Sequence, residues 1–191
     1  MKRIIYILLL ILASLPLYGQ DTIKTNIYEI VYSQALEQPL HIKYKVACPF
    51  GQADRAGMSF WQPDGIHTSD EEDYEDNVWD KGHMVPASSF SCDEKTLRQT
   101  FSYVNCALQH QSLNRGCWAR LEQFEKDLAK FYEVNVEIEV IFKGPPNRLT
   151  TGAVVPTGFK KTIRFDNWLV VFYFPNEDPG GKDWHEFITK E

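Results

Sequence analysis

The residues best suited to chemistry lie in three short segments between positions 80 and 122. The first segment, 80–83, is DKGH; the second contains Asn105; the third runs from Asn114 to Glu122. Together they supply an imidazole, carboxylates, two amides and a fixed positive charge. A neutral imidazole, with a reference pKa of about 6.5, can accept a proton from water near neutral pH. An amide oxygen suits a hard cation such as Mg²⁺, which keeps most of its water ligands.

This combination of groups favours phosphodiester hydrolysis. The imidazole of His83 could deprotonate water, while a hydrated Mg²⁺ could neutralise the phosphate and protonate the leaving oxygen. Lys81 would place positive charge where the transition state becomes more negative. On a straight helix, eight residues separate Asn114 from Glu122 by about 80° in azimuth, so both could address one hydrated ion.

The three segments resemble the motifs of the DNA/RNA non-specific endonuclease family, the secreted ββα-metal nucleases. Residues 80–83 match the family's Asp-Arg-Gly-His, with Lys81 where the family usually has Arg. Residues 104–109 (VNCALQ) keep the Asn and Gln of the family's second-strand segment but not its Ser or Pro. Residues 113–122 (LNRGCWARLE) match the helix element closely, and the resemblance extends over about residues 40–176.

The resemblance implies a fold and an activity. The fold is α+β, with a central, mostly antiparallel sheet and the catalytic strand–strand–helix motif of the ββα-metal nucleases. The activity is that of an Mg²⁺-dependent endonuclease without sugar specificity, acting on DNA and RNA, with Mn²⁺ or Ca²⁺ as other candidate ions. The products would carry 5′-phosphate and 3′-hydroxyl ends.

The resemblance also implies a role for each matched residue. His83 corresponds to the general base, Asn114 to the direct protein ligand of the metal, and Glu122 to a ligand through water. Asn105 would support the geometry of the His and the metal, and Lys81 would take the place of the phosphate-binding Arg. The further candidates for contacts with substrate phosphates are Arg55, Arg115 and Arg120.

Structural roles for the same residues remain open. Asn114 could be a helix N-cap, and Glu122 could pair with an arginine on the helix surface. Trp118 fits an apolar helix stripe better than a base-stacking platform. A catalytically weak or inactive nuclease-fold protein that binds nucleic acid or a partner is the main alternative, motivated by Lys81 and a net charge of −6. An exported, disulfide-stabilised binding domain is a second alternative, whereas the acidic charge excludes a protein that passively coats nucleic acid.

Hydrophobic periodicity predicts the elements that must position these residues. Strands are expected at 27–32 and 40–46, followed by an irregular segment, 49–77, that ends in a solvated acidic loop. A helix is expected over 112–131, a strand over 134–142, and a strand pair over 161–165 and 168–174 with a turn at Asp166-Asn167. The helix should bury one stripe, formed by Trp118, Leu121, Phe124, Leu128 and Phe131. The order of elements indicates a mixed α+β domain.

The beginning of the chain has the pattern of a secretory signal peptide. Lys2 and Arg3 precede an apolar run from Ile4 to Leu12 and a small-residue exit. We therefore expect a signal peptide over 1–19, a single nuclease domain over 20–191, and a mature protein that is periplasmic or secreted and not held in a membrane. The oligomeric state is left open.

Export would place the four cysteines in an oxidising compartment, which allows two disulfides. The favoured pair is Cys92–Cys106, because this bridge would fix the separation of the His83 and Asn105 segments. Cys48–Cys117 would then be a candidate second bridge. Buried free thiols are the alternative, and the spacing gives little support to a zinc site.

Overall fold

The computed structural model describes residues 19–189, so the expected signal peptide lies outside the described residues except for Gly19. The strands are β1 (Gln20–Lys24), β2 (Tyr28–Ser33), β3 (Gln38–Lys45), β4 (Trp79–His83), β5 (Cys106–His110), β6 (Val134–Ile141), β7 (Asn147–Arg148), β8 (Val154–Val155), β9 (Gly158–Phe165) and β10 (Trp168–Pro175). The α-helical segments are α1 (Glu94–Thr100), α2 (Gln111–Leu113) and α3 (Ala119–Leu128). A π-helical turn, Asn114–Trp118, joins α2 to α3, and short 3₁₀ turns occupy Glu72–Tyr74, Ala87–Phe90, Tyr103–Asn105 and Trp184–Phe187.

The centre of the molecule is a six-stranded antiparallel sheet in the order β1-β2-β3-β6-β9-β10. Alternation explains why these segments form strands: in β6, Val134, Val136, Ile138 and Val140 are buried, and the residues between them are more exposed. The buried face meets Trp118 and Leu121 from the helical region. The opposite face carries cross-strand ion pairs such as Lys160–Glu139 and Arg164–Glu137. One face of the sheet therefore holds the core and the other faces water.

The strand predictions from the sequence are confirmed. The expected strands at 27–32, 40–46, 134–142, 161–165 and 168–174 correspond to β2, β3, β6, β9 and β10 with small shifts at their ends. The turn between β9 and β10 falls at Asp166-Asn167, and Asp166 has a φ of 48° there. Asp tolerates this left-handed conformation better than most residues. The expected α+β class with a mostly antiparallel sheet is also confirmed.

The helix prediction is wrong in two respects. The segment is not one straight helix, because the π-helical turn bends at Gly116, whose φ and ψ are −102° and −115°. The azimuth expected between Asn114 and Glu122 on a straight helix therefore does not apply. The helix also ends at Leu128, and Phe131 is 80% exposed, because it lies in the turn that leads to β6 and no longer follows the helical period.

The acidic loop is only partly solvated. Asp73 is buried and accepts a hydrogen bond from the Thr151 hydroxyl at 2.5 Å. Glu71 pairs with Lys81. The solvated interpretation fails for Asp73, because a later part of the chain supplies a partner that a local charge count cannot reveal, whereas Glu71 stays exposed.

A disulfide is present, as expected, but its pairing is Cys48–Cys92, with the two Cα atoms 5.3 Å apart. The expected pairs Cys92–Cys106 and Cys48–Cys117 are wrong; Cys106 and Cys117 are buried free thiols. Backbone hydrogen bonds explain the difference. Cys48 donates its N–H to Ser89 O at 3.0 Å, so the segment after β3 lies directly beside the segment that contains Cys92.

Within residues 19–189, the helices are too short or too polar for any of them to span a membrane.

Candidate active site

A short antiparallel pair, β4 and β5, carries the first two motif segments and leads directly into the helical region. The register places His83 opposite Cys106 and Gly82 opposite Ala107. A side chain at Gly82 would bring its Cβ to 2.5 Å from Oε1 of Gln109, which is fully buried. Glycine is required there because only its backbone fits this close approach. The motif glycine thus allows β4 to lie close to β5 immediately before His83.

His83 lies at the end of β4 between aromatic rings. The centres of the Phe60 and Phe101 rings are 4.9 Å and 5.0 Å from the imidazole centre. Burial, with a further contribution from the charge of Arg55, lowers the pKa of His83 to about 4. The Nε2 atom is buried and has no hydrogen-bond partner within residues 19–189. The ring is therefore neutral near neutral pH, and its Nε2 is a buried polar atom that lacks a partner among these residues.

Asn105 holds the chain that follows His83. Its Oδ1 accepts a hydrogen bond from Val85 N at 2.8 Å, and its Nδ2 donates to Val85 O at 3.0 Å and to Thr100 O at 2.9 Å. The side chain is fully buried, and these bonds occupy both ends of its amide. The Asn105 side chain is thus connected to His83 through the backbone of Val85, two residues further along the chain.

Asn114 is the first residue of the π-helical turn, and it is anchored by one end of its amide. Its Nδ2 donates to Oδ2 of Asp80 at 2.9 Å, which leaves Oδ1 as a candidate ligand for a cation. The interpretation of Asn114 as an N-cap is wrong, because the helix begins at Gln111 and the side chain of His110 caps it by accepting from Ser112 N.

The Asp80 carboxylate accepts hydrogen bonds from two side chains, the amide of Asn114 and the guanidinium of Arg115. Arg115 donates to it from Nε at 2.8 Å and from Nη2 at 2.6 Å. Partial burial raises the pKa of Asp80, but the hydrogen bonds from Arg115 and Asn114 lower it more and hold it below its usual value. Arg115, expected to contact phosphate, is engaged by this carboxylate.

Glu122 is fixed by a tryptophan. The Trp118 indole Nε1 donates to Glu122 Oε1 at 2.8 Å, which leaves the second carboxylate oxygen as a candidate acceptor for a metal-bound water. Burial raises the pKa of Glu122 to about 7, although the charge of Lys161 opposes the shift. Trp118 is fully buried, as its place in the apolar stripe predicts.

A buried ion pair between Lys161 and Glu125 packs against the Trp118 ring. The Lys161 ammonium is 2.6 Å from Glu125 Oε1 and 4.1 Å from the centre of the Trp118 ring, and Tyr44 donates to Glu125 Oε2 at 2.7 Å. Both charged side chains are fully buried. This network supports the tryptophan that holds Glu122.

The remaining predicted cations differ in their surroundings. Lys81 forms an ion pair with Glu71. Arg120 pairs with Asp183 at 3.1 Å and is directed toward the C-terminal segment. Arg55 is exposed, close enough to His83 to affect its pKa, and it lines a cavity of about 360 Å³ together with Lys126.

Sequence reasoning did not assign roles to several of these partners. Lys161 could have been noticed, because it alternates with Phe159 and Ile163 and so falls on the core side of β9. Asp80 was part of the motif without an assigned role. No local signal could have connected Glu71 to Lys81 or Asp183 to Arg120.

The donor set suits a hydrated hard cation. Within residues 19–189, His, Cys, Asp and Glu side chains form no group of three that could hold a metal ion. The amide oxygen of Asn114 and the carboxylate oxygen of Glu122 are donors of the kind that a hard, hydrated cation prefers.

Comparisons with known proteins agree with the motifs. The family model for the DNA/RNA non-specific endonucleases matches residues 10–187. The sequence is 28% identical to the mitochondrial nuclease EXOG of Mus musculus over 124 residues, which are 62% of this chain and 33% of that protein. It is 29% identical to the mitochondrial endonuclease G of Homo sapiens over 86 residues, 44% of this chain and 29% of that protein. It is 34% identical to nuclease C1 of Cunninghamella echinulata var. echinulata over 103 residues, 48% of this chain and 41% of that protein.

The matched region spans about a third of the length of these curated relatives. Among solved structures, a chain of the EndoG/EndoGI complex superposes with a TM-score of 0.77 at 22% identity, covering 88% of this chain and 80% of that chain. This similarity confirms the expected ββα-metal nuclease fold.

Proposed function

The chain belongs to the DNA/RNA non-specific endonuclease family, and from that premise we propose that it is a metal-dependent endonuclease that hydrolyses phosphodiester bonds of DNA and RNA. One observation carries the proposal: the neutral imidazole of His83 has a buried Nε2 without a partner among the described residues. The same strand–strand–helix unit presents the free amide oxygen of Asn114. In this proposal, His83 is the proton acceptor and Asn114 is the oxygen ligand of the strand–strand–helix unit.

In the proposed reaction, the Nε2 of His83 accepts a proton from a water molecule as its oxygen attacks the phosphorus. The bond from phosphorus to the 3′ oxygen breaks and that oxygen takes a proton from solvent water, which leaves 5′-phosphate and 3′-hydroxyl ends. Lys81 contributes positive charge to the phosphate oxygens in the transition state. Asn105 keeps His83 in position through the backbone of Val85.

Asn114 and, through water, Glu122 would hold a divalent cation. When bound, such an ion neutralises charge on the phosphate and assists departure of the leaving oxygen. Mg²⁺ is the proposed ion because both donors are oxygens, and Mn²⁺ or Ca²⁺ could replace it. The hydrogen bond from Trp118 fixes one Glu122 oxygen and keeps the other available.

Little base specificity is expected. Every residue assigned to the site addresses phosphate, metal or water, and contacts of that kind carry no sequence information. Arg55 is the best placed additional phosphate contact, since it is exposed and close enough to His83 to influence its charge state. Arg115 and Arg120 would first have to leave Asp80 and Asp183.

We further propose that the protein is exported and works in the periplasm or outside the cell. The pattern of residues 1–19 and the Cys48–Cys92 disulfide support this location, because disulfides persist in oxidising compartments. Residues 20–191 would then form the mature nuclease domain.

A catalytically weak or inactive protein that binds nucleic acid or a partner is the second candidate. The observation that favours it is the engagement of two site cations by carboxylates, Lys81 by Glu71 and Arg115 by Asp80. Such a protein would bind DNA in EDTA with strong salt dependence and leave it intact when metal is added.

The test is incubation of the mature protein with supercoiled plasmid and with single-stranded RNA, in Mg²⁺ or in EDTA. We expect nicking and RNA degradation only with metal, and ends that ligase can rejoin without prior treatment. Intact plasmid and RNA across Mg²⁺, Mn²⁺ and Ca²⁺, with a folded protein by circular dichroism, would contradict the proposal.

A further inference from the structure

Lys81 is held by an acidic side chain from outside the motif. Glu71 forms an ion pair with the Lys81 ammonium through Oε1. The Tyr103 hydroxyl donates to Glu71 Oε2 at 3.0 Å, so both oxygens of the carboxylate are engaged. These contacts lower the pKa of Glu71, with the Lys81 hydrogen bond as the largest cause. The Glu71 carboxylate is therefore ionised near neutral pH.

The Lys81–Glu71 pair lies close to the aromatic ring of Phe60, which packs against His83. The Lys81 ammonium is 5.9 Å from the centre of the Phe60 ring and 5.8 Å from that of Tyr74. Phe60 in turn packs against the His83 ring. Lys81 and His83 therefore lie two residues apart on β4 and next to the same ring, with Glu71 paired to the Lys81 ammonium.

The two partners differ in their access to solvent. The Lys81 side chain is 22% exposed, whereas that of Glu71 is 65% exposed. Glu71 is thus the outer partner, and a competing anion can displace it without disturbing the core. It belongs to the segment Asp70–Asp76, which carries six acids, so this approach to the site is negatively charged.

We propose that Glu71 is an internal competitor of the substrate phosphate. In the free protein its carboxylate occupies the phosphate position on Lys81, and binding of nucleic acid exchanges the carboxylate for a phosphate. This competition weakens binding of any polyanion and keeps the Lys81 ammonium oriented between turnovers. This inference rests on the proposed function, since it assigns Lys81 to the substrate phosphate.

The direct test is binding of a short fluorescein-labelled DNA duplex in EDTA, measured by anisotropy. Glu71→Gln should bind about two- to fivefold more tightly than wild type, the range expected for losing one partly exposed ion-pair competitor. A plot of the logarithm of its association constant against the logarithm of the salt concentration should be steeper by about one unit. The reason is that one more cationic side chain, Lys81, is available to phosphate. Glu72→Gln is the matched control: it removes the same charge from the neighbouring exposed position, and we expect less than half the gain and an unchanged slope.

Tyr103→Phe provides a second variant in which the charge is unchanged. It removes the hydroxyl that anchors Glu71 Oε2 while keeping the ring packed against Phe60 and Tyr74. We expect this variant to bind DNA more tightly than wild type, but with a smaller gain in affinity than Glu71→Gln. A general effect of net charge would leave this variant identical to wild type.

The outcomes separate this inference from the proposed function. Equal affinities for Glu71→Gln and Glu72→Gln, or weaker binding by Glu71→Gln, would overturn the competitor role even if wild type nicks plasmid. A wild type that does not cut, with Glu71→Gln still binding more tightly than its control, would refute the nuclease proposal alone. Failure of wild type and Glu71→Gln alike to bind the duplex in EDTA would overturn the competitor role, while plasmid nicking with metal decides the proposed function.

Discussion

At the level of single residues, the environment of His83 keeps its imidazole neutral near neutral pH. Folding lowers its pKa to about 4, mainly by burial between aromatic rings, whereas an unfolded histidine titrates near about 6.5. Between these values the unfolded chain binds more protons than the folded one. Stability is therefore lost as pH falls from about 6.5 toward about 4.

We predict that His83→Asn flattens this part of the pH dependence. Urea denaturation of both proteins in EDTA at several pH values between about 4 and 7 measures it. Glu122 has the opposite linkage, since its pKa rises to about 7, but it is present in both proteins and cancels in the comparison. Parallel stability curves for wild type and His83→Asn would show that His83 is not held neutral by folding.

Lys81 supports a second prediction at this scale. Lys81→Ala should lower the single-turnover cleavage rate by about 10²-fold or more, because one electrostatic donor to a transition state typically contributes about 3 kcal/mol. Lys81→Arg should preserve or raise the rate, since a guanidinium can donate two parallel hydrogen bonds to phosphate. The rings of Phe60 and Tyr74 also suit a planar cation. A Lys81→Ala protein that cleaves as fast as wild type would show that Lys81 does not contact the reacting phosphate.

The motif identities were predictable because each depends on residue type and spacing within a few positions. The contacts of the same residues were not. Lys81 and Glu71 are ten positions apart across an irregular segment, so only the folded chain brings them together. Asn114 looked like an N-cap because Asn often occupies that place, but the helix begins three residues earlier.

At the level of elements, alternation in the strands was a reliable guide because one face of the sheet is buried and the other is charged. The helical region was less predictable. Periodicity assumes 3.6 residues per turn, and the π-helical turn with its bend at Gly116 breaks that assumption. The same bend lies between Asn114 and Glu122, so the local irregularity falls at the site itself.

The buried Lys161–Glu125 pair gives a prediction about the contact between β9 and α3. Lys161→Met should destabilise the protein by about 3–5 kcal/mol, because it leaves a buried carboxylate without its counter-charge. The double variant Lys161→Met with Glu125→Gln should recover part of that loss. Urea denaturation measures both, and Lys160→Met, on the solvent face of the same strand, is the control. A neutral single variant would contradict this account of the pair.

For the whole molecule, the cysteine count predicted a disulfide but could not give its pairing, which depends on how distant segments meet. Cys48 and Cys92 are 44 residues apart, and closing such a loop contributes about 4 kcal/mol in the chain-entropy description. Cys48→Ser with Cys92→Ser should therefore lower the free energy of unfolding by about 2–5 kcal/mol. The control is Cys117→Ser, which removes a buried free thiol and leaves the bridge intact.

Peptide mass spectrometry without reduction checks the same point chemically. We expect one linked peptide pair that contains Cys48 and Cys92, with Cys106 and Cys117 alkylated only after unfolding. A linked peptide pair containing Cys106 or Cys117 would contradict the connectivity.

The net charge of −6 also belongs to this scale. A chain that is acidic overall binds nucleic acid through a few local cations, and here carboxylates engage Lys81 and Arg115 in the free protein. Under the proposed function, such an arrangement favours weak, salt-sensitive binding of nucleic acid and ready release of its cleaved products.

The central claim is that His83 activates water for phosphodiester hydrolysis, and plasmid nicking under single-turnover conditions with Mg²⁺ tests it most directly. Wild type should nick, and His83→Ala should be slower by about 10²- to 10⁴-fold while keeping its fold, as expected for loss of a general base. His185→Ala, which changes an exposed histidine in the C-terminal turn, should match wild type. A His83→Ala protein that nicks within about a tenth of the wild-type rate would contradict the account, because so small a loss is incompatible with general-base catalysis by this residue.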